Sequence, residues 1–213
     1  MILALTLLFI TRMAPAAPSG REWKTDLPTL IGRIVMLREP APQDAGALLD
    51  VLSVGDAVRF GLGQPLSEDA VEDLIDRACE SRRAGASFTF AITTSPAHPV
   101  VGLIQVRQLD ATFETAEVEC LVAPSARGTG AFIESARLTG SFAFDTVGVH
   151  RIEARVEMQN GRANGALKKL GAVQEGILRR SLRRGHEHFD QVLWAVLRED
   201  WGDRWVSTVP RVH

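Results

Sequence analysis

The sequence predicts a mixed α/β (α+β) domain, and three observations carry the prediction. Three strand-like segments follow one another between residues 87 and 123, strand-like and helical segments alternate after residue 130, and no internal repeat is visible. One domain is expected for 213 residues, and a hydrophobic content of 46% suffices for its core.

In chain order, "TLIGRIVMLREP" (29–40) predicts a strand ended by Pro40, and "PQDAGALLDVL" predicts a helix with Asp44 in its first turn. "SEDAVEDLIDRACESRRAG" predicts a second helix. Ser67 caps it, Glu68 and Asp69 suit the positive end of its dipole, and Gly85 stops it. Val71, Leu74, Ile75 and Ala78 form its buried stripe. "SFTFAITT" puts Phe88, Phe90 and Ile92 on one strand face; "PVVGLIQVRQL" and "TAEVECLVAP" follow around a polar turn at Asp110, as an antiparallel meander. A helix is expected over about 130–144, then a strand, "HRIEARVEM", in which Ile152, Ala154, Val156 and Met158 alternate with charged residues. "GRANGALKKLG" predicts a short helix stopped by Gly171. "VQEGILRRSL" and "HFDQVLWAVL" predict two strands around Gly185, the last apolar on both faces and therefore inside the sheet.

The ends and the composition argue against several classes. "MILALTLLFI" is too short to span a bilayer and lacks the basic residues that precede a signal peptide's apolar run. Residues 1–28 are read as a dispensable extension and linker, 29–205 as the domain and 206–213 as a tail, with no stable membrane anchoring. A net charge of −2 argues against nucleic-acid binding, and two cysteines, Cys79 and Cys120, fit a reduced cytoplasm. His186 and His188 have no third ligand nearby, so no metal is expected.

The chemistry concentrates at "SARGTGAFIESARL" (125–138), where a strand, a glycine loop and a helix follow one another. A helix N-terminus with glycines before it presents bare N–H groups to an anion, and Arg127 adds a forked cation. A Walker A loop would need a lysine after the glycines, and a dinucleotide fingerprint would need glycine where Ile133 stands. The pattern left is [QR]-x-x-G-x-[GA], met by Arg127 and Gly130.

"TLIGRIVMLREPAPQDAGALLDVL", "AEVECLVAPSARGTGAF", "GVHRIEARVEMQNGRANGALKKLGAVQEGILRRS" and "DQVLWAVLREDW" carry, in that order, a resemblance to the GNAT superfamily of acyl-CoA-dependent N-acetyltransferases. The chain is most similar to the branch that acetylates ribosomal-protein N-termini, the RimJ/RimL type. The resemblance implies a mostly antiparallel sheet with one splayed parallel pair, flanked by about four helices. It implies acetyl-CoA as co-substrate and a primary amine as acceptor, a peptide N-terminus favoured over a small molecule such as an amino acid, polyamine or antibiotic; a non-catalytic acyl-CoA-binding module is the alternative, and a homodimer is left open.

It also implies a pyrophosphate held by Arg127, Gly128, Thr129, Gly130, Ala131 and Phe132, the last standing where the family has glycine or alanine. Leu121, Val122 and Ala123 would offer backbone groups to the pantetheine arm, and one such N–H could stabilise the oxyanion. Asn160 resembles a cofactor-contacting asparagine but reads equally as a helix cap. Ala163 replaces a frequent serine, and with no tyrosine in the chain the family's common general acid is absent.

An α-amine of pKa about 8 is neutral roughly one time in ten near pH 7, so an N-terminal acceptor needs only a modest base. Glu117 and Glu119 share one face of their strand and are the candidates, each expected to raise the other's pKa, with Glu117 slightly preferred. A nucleophilic Cys120 is disfavoured. The basic run around Arg179, Arg180, Arg183 and Arg184 would line the acceptor entrance or form a solvated hairpin, and Trp194, Trp201 and Trp205 are read as packing residues.

Overall fold

The computed structural model describes residues 22–53, 60, 66–95 and 99–203; the apolar run at the N-terminus, Trp205 and the C-terminal tail lie outside them. One eight-stranded sheet in the order β1-β2-β3-β4-β5-β6-β8-β7 organises the domain. Its strands are β1 (Leu30–Ile31), β2 (Met36–Arg38), β3 (Ser87–Thr93), β4 (Gly102–Gln108), β5 (Thr115–Val122), β6 (Arg151–Glu157), β7 (Val173–Arg184) and β8 (Glu187–Leu197). The helices are α1 (Ala45–Ser53), α2 (Glu68–Ala84), α3 (Ala131–Phe142), α4 (Gly161–Lys169) and α5 (Arg198–Asp203).

The meander is present as β3, β4 and β5, and β8 lies inside the sheet between β6 and β7. Ser67 Oγ accepts from the Ala70 amide at 3.2 Å and Gly85 closes α2 at φ +75°, as the cap signals required.

Three expectations need correction. The strand expected over 29–40 is a hairpin, because the chain turns between β1 and β2 with the Gly32 amide donating to the Val35 carbonyl at 2.8 Å. The helix expected to 144 ends at Phe142 and widens into a π turn, Ala143–Val147, closed by Gly148 at φ +94°. The core also takes in residues before 29, from the segment read as linker. Trp23 and Leu27 are core residues, and Trp23 packs on Phe88 and Phe113 at ring separations of 5.7 and 5.9 Å.

The sheet is covered on both faces, which explains the near-complete burial of β3. On one face Phe88, Phe90, Ile104 and Val106 pack with Phe142 and Phe144 of the α3 segment. On the other, Ala91 and Leu103 pack with Leu48 and Leu52 of α1 and Leu74 and Ile75 of α2. A third cluster joins β6 and β8 to α4 through Val156, Trp194, Leu167 and Leu170.

Candidate active site

The site begins where the sheet comes apart. β5 and β6 are the sheet's one parallel pair among the described strands, and they pair only from Thr115–Arg151 to Glu117–Glu153. Beyond Glu117 the β6-facing edge of β5 has no strand partner, which leaves backbone donors and acceptors for an extended ligand. A cavity of about 580 Å³ occupies the opening. Its walls take Val118 and Cys120 from one face of β5 and Glu119 and Leu121 from the other, with Ala154, Val156 and Arg155 from the two faces of β6. The cavity therefore passes through the sheet.

The glycine loop follows β5, and Arg127 and Phe132, at its two ends, line the cavity. A short 3-10 turn, Pro124–Ala126, carries the chain out of β5, and Gly128 and Gly130 take φ of +81° and +94°, a region costly for residues with a Cβ. Thr129 Oγ donates to the Ala126 carbonyl at 2.7 Å and accepts from the Ala131 amide at 3.3 Å, so the loop is braced from within. The amides of Gly128, Thr129 and Gly130, and those of Phe132 and Ile133 in the first turn of α3, have no acceptor among the described residues. Bare amides at the positive end of a helix suit an anion, and a diphosphate fits the donor set.

Other predicted residues divide. Arg127 lines the cavity and its Nε donates to the Val122 carbonyl at 3.2 Å. The Ala123 amide is already taken by the Val101 carbonyl at 2.7 Å. Asn160 caps α4, its Oδ1 accepting from the Ala163 amide at 3.1 Å, and both residues line the cavity. Phe132 packs against two core clusters and also lines the cavity.

The two carboxylates also part company. Glu117 is 4% exposed and sits between two guanidiniums, hydrogen-bonded to Arg107 and 3.5 Å from Arg155. It is not among the cavity-lining residues, whereas Glu119 is. The two acids do share a strand face, but two arginines stand against Glu117 there.

A family model for the acetyltransferase (GNAT) domain matches residues 35–173. The chain belongs to the GNAT family. Among curated relatives, the uncharacterized N-acetyltransferase YnaD of Bacillus subtilis is 28% identical over 41% of this chain and 51% of its own length, so the chain spans about half of it. Mycobacterium smegmatis RimJ, solved in complex with CoA-disulfide, shares the fold at a TM-score of 0.69 and 22% identity, over 82% of this chain and 88% of that one. A spermidine N-acetyltransferase SpeG chimera, from Vibrio cholerae and hSSAT, does so at 0.68 and 19%, over 80% and 99%.

Two further residues at and beside this cavity carry contacts that motif reading missed. Asn164 ties α4 to the sheet: its Nδ2 donates to the Asn160 carbonyl at 2.9 Å and the Glu157 carbonyl at 3.1 Å, while its Oδ1 accepts from Trp194 Nε1 at 2.8 Å. An Asn four residues after a cap Asn was the available signal. Trp201 lines the cavity, donates to Ser141 Oγ at 3.0 Å and covers Gly140, where a Cβ would come within 2.5 Å of the indole. Trp194 and Trp201 thus pack, as expected, but beside the site.

Cys120 is an apolar wall of the cavity, and desolvation pushes its thiol up to about 12, which leaves almost no thiolate near neutrality. In the basic hairpin, Arg184 pairs with Glu157 at 2.6 Å and lines the cavity. Arg180 takes φ +50° in a bulge where the register of β7 slips against β8. Among the described residues no cluster of three metal-ligating side chains occurs, and no helix is long and apolar enough to cross a membrane.

Proposed function

We propose that this chain transfers an acetyl group from acetyl-CoA to a primary amine, with a peptide N-terminal α-amine as the favoured acceptor, by direct attack in a ternary complex. One observation carries the reading: a cavity that crosses the sheet at the β5–β6 splay, with Arg127 and Phe132, which flank the glycine loop, and a carboxylate, Glu119, in its wall. The diphosphate belongs at the glycine loop, held by Arg127 and the amides around Gly128, Thr129 and Gly130. The pantetheine arm follows the unpartnered edge of β5 by Leu121 and Val122, which brings the thioester to the splay; Phe132 and Asn160 wall this arm.

Glu119 is the better placed acceptor of the amine's proton, directly or through one water, because it faces the cavity while Glu117 is engaged by arginines. Glu117 then serves to hold Arg155 in the cavity wall. Cys120 offers no thiolate for a covalent route, which supports direct attack. Work in a reducing cytoplasm is part of the same proposal.

A small polyamine is the second acceptor reading, favoured by the fold likeness to the spermidine enzyme. Calorimetric titration of the full chain with acetyl-CoA, with ATP and NAD as controls, tests the cofactor. Thiol release with peptide N-termini and with polyamines then tests the acceptor. Micromolar binding of acetyl-CoA with turnover of peptides supports the reading; absence of acetyl-CoA binding refutes it.

A further inference from the structure

The turn between β1 and β2 lies against the first turn of α3, and one carboxylate makes the joint. Glu134 Oε1 accepts from the Arg33 amide at 2.8 Å, and its Oε2 accepts from the amides of Ile34 at 2.8 Å and Val35 at 2.9 Å. The contact is built to fit. A Cβ on Gly32 would come within 2.6 Å of Glu134 Cδ, and Ile34 Cδ1 would lie 3.1 Å from a Cβ on Gly130. The hairpin therefore covers the glycine loop, through Glu134 on one side and Ile34 on the other. Burial disfavours the Glu134 charge, but the three amides outweigh it and hold the carboxyl below its ordinary value.

A negative charge in the first turn of an anion-binding helix needs a reason, because it opposes the ligand there. We propose that Glu134 is a positioning residue for the diphosphate end of acetyl-CoA: it clasps the β1–β2 turn and thereby holds the Gly128–Gly130 cradle in its binding form. The inference rests on the proposed function above. Without the clasp, the loop and hairpin must be ordered at the moment of binding, and that ordering is subtracted from affinity. The positioning role and the bare charge predict opposite signs. If the carboxylate acts only as a charge near the diphosphate, its removal tightens binding; if it holds the cradle, its removal weakens binding.

Glu134→Gln distinguishes the two. A carboxamide keeps the size but turns an N–H₂ toward one of the three amide donors, so the clasp loses at least one charge-assisted bond. Gly32→Ala tests the same joint from the hairpin side with the α3 sequence unchanged, because its methyl group would displace the Glu134 carboxylate.

The readout is the ratio of kcat/KM for acetyl-CoA to that for acetyl-pantetheine, which lacks the diphosphate, together with calorimetric affinity for CoA. About a tenfold fall in the ratio and a matching rise in Kd are expected for Glu134→Gln, with Gly32→Ala moving in the same direction. An unchanged or higher ratio in Glu134→Gln overturns the inference, as does an equal loss with both thioesters, which marks a purely structural residue. A wild-type chain that does not bind CoA overturns the parent reading and this inference with it. Wild-type binding matched by the Glu134→Gln variant overturns this inference alone.

Discussion

Substituting Gly130 by Ala and by Asp separates the backbone of the phosphate cradle from its charge. Gly130 has φ +94° and ψ −7°, at the N-terminal boundary of α3, and its ideal Cβ meets Ile34 at 3.1 Å. Holding an L-residue in that region costs about 1–2 kcal/mol, and Asp tolerates it better than Ala through local hydrogen bonding. For a domain of this size each kcal/mol lowers Tm by roughly 2–4 °C, so Gly130→Ala should fall by about 2–8 °C and Gly130→Asp by no more. Gly128→Ala is the control, since Gly128 also has positive φ but nothing lies within 4 Å of its Cβ.

Affinity should rank differently. A carboxylate about 4 Å from a diphosphate charge is repelled by roughly 4 kcal/mol at an effective dielectric of about 20. The loop is exposed, so solvent and salt cut this to about 1.5 kcal/mol, or roughly tenfold in Kd beyond the Ala variant. Scanning fluorimetry and calorimetry with acetyl-CoA at two salt concentrations measure both quantities. The placement of the diphosphate is refuted if Gly130→Asp binds acetyl-CoA as tightly as Gly130→Ala at low salt.

Glu119→Gln should lower kcat by about a hundredfold with acetyl-CoA affinity unchanged, and the deficit should shrink toward pH 9 as the α-amine loses its proton without help; a deficit independent of pH would remove Glu119 as the base. Asp44 is buried and makes two 2.7 Å bonds to Arg38. Desolvation raises its pKa, but Arg38 and the Ala41 amide outweigh this, and the folded carboxyl titrates below its ordinary value. Its contribution is thus present above the unfolded pKa of about 3.9 and lost as pH falls through the folded value. Asp44→Asn should cost about 3 kcal/mol in denaturant melts at pH 7, and the gap to wild type should narrow in strong acid. Trp23→Ala should cost about 3–5 kcal/mol, and a chain beginning at residue 29 should be destabilised at least as much in the same melts.

Most of the architecture was legible because it rests on local signals. The 3.6-residue stripe of α2, its Ser67 and Gly85 caps and the two-residue alternation of β6 each follow from nearest neighbours along the chain. What escaped was settled by distant partners. The hairpin hidden in residues 29–40 has turn amides that donate to Glu134, about a hundred positions away. Trp23 looks like part of a linker until Phe88 and Phe113 close around it.

The site divides along the same line. By itself the sequence determined a glycine loop before a helix N-terminus at 127–131, a strand carrying Glu117 and Glu119 on one face, and a cap at Asn160, since backbone conformation and strand parity are properties of short segments. Only the tertiary structure decided which glutamate faces the cavity. Arg107 on β4 and Arg155 on β6 close on Glu117, while β5 and β6 separate just beyond it and open the sheet beside Glu119. Strand pairing sets that separation, and pairing is a relation between segments some thirty-five residues apart that neither segment encodes alone.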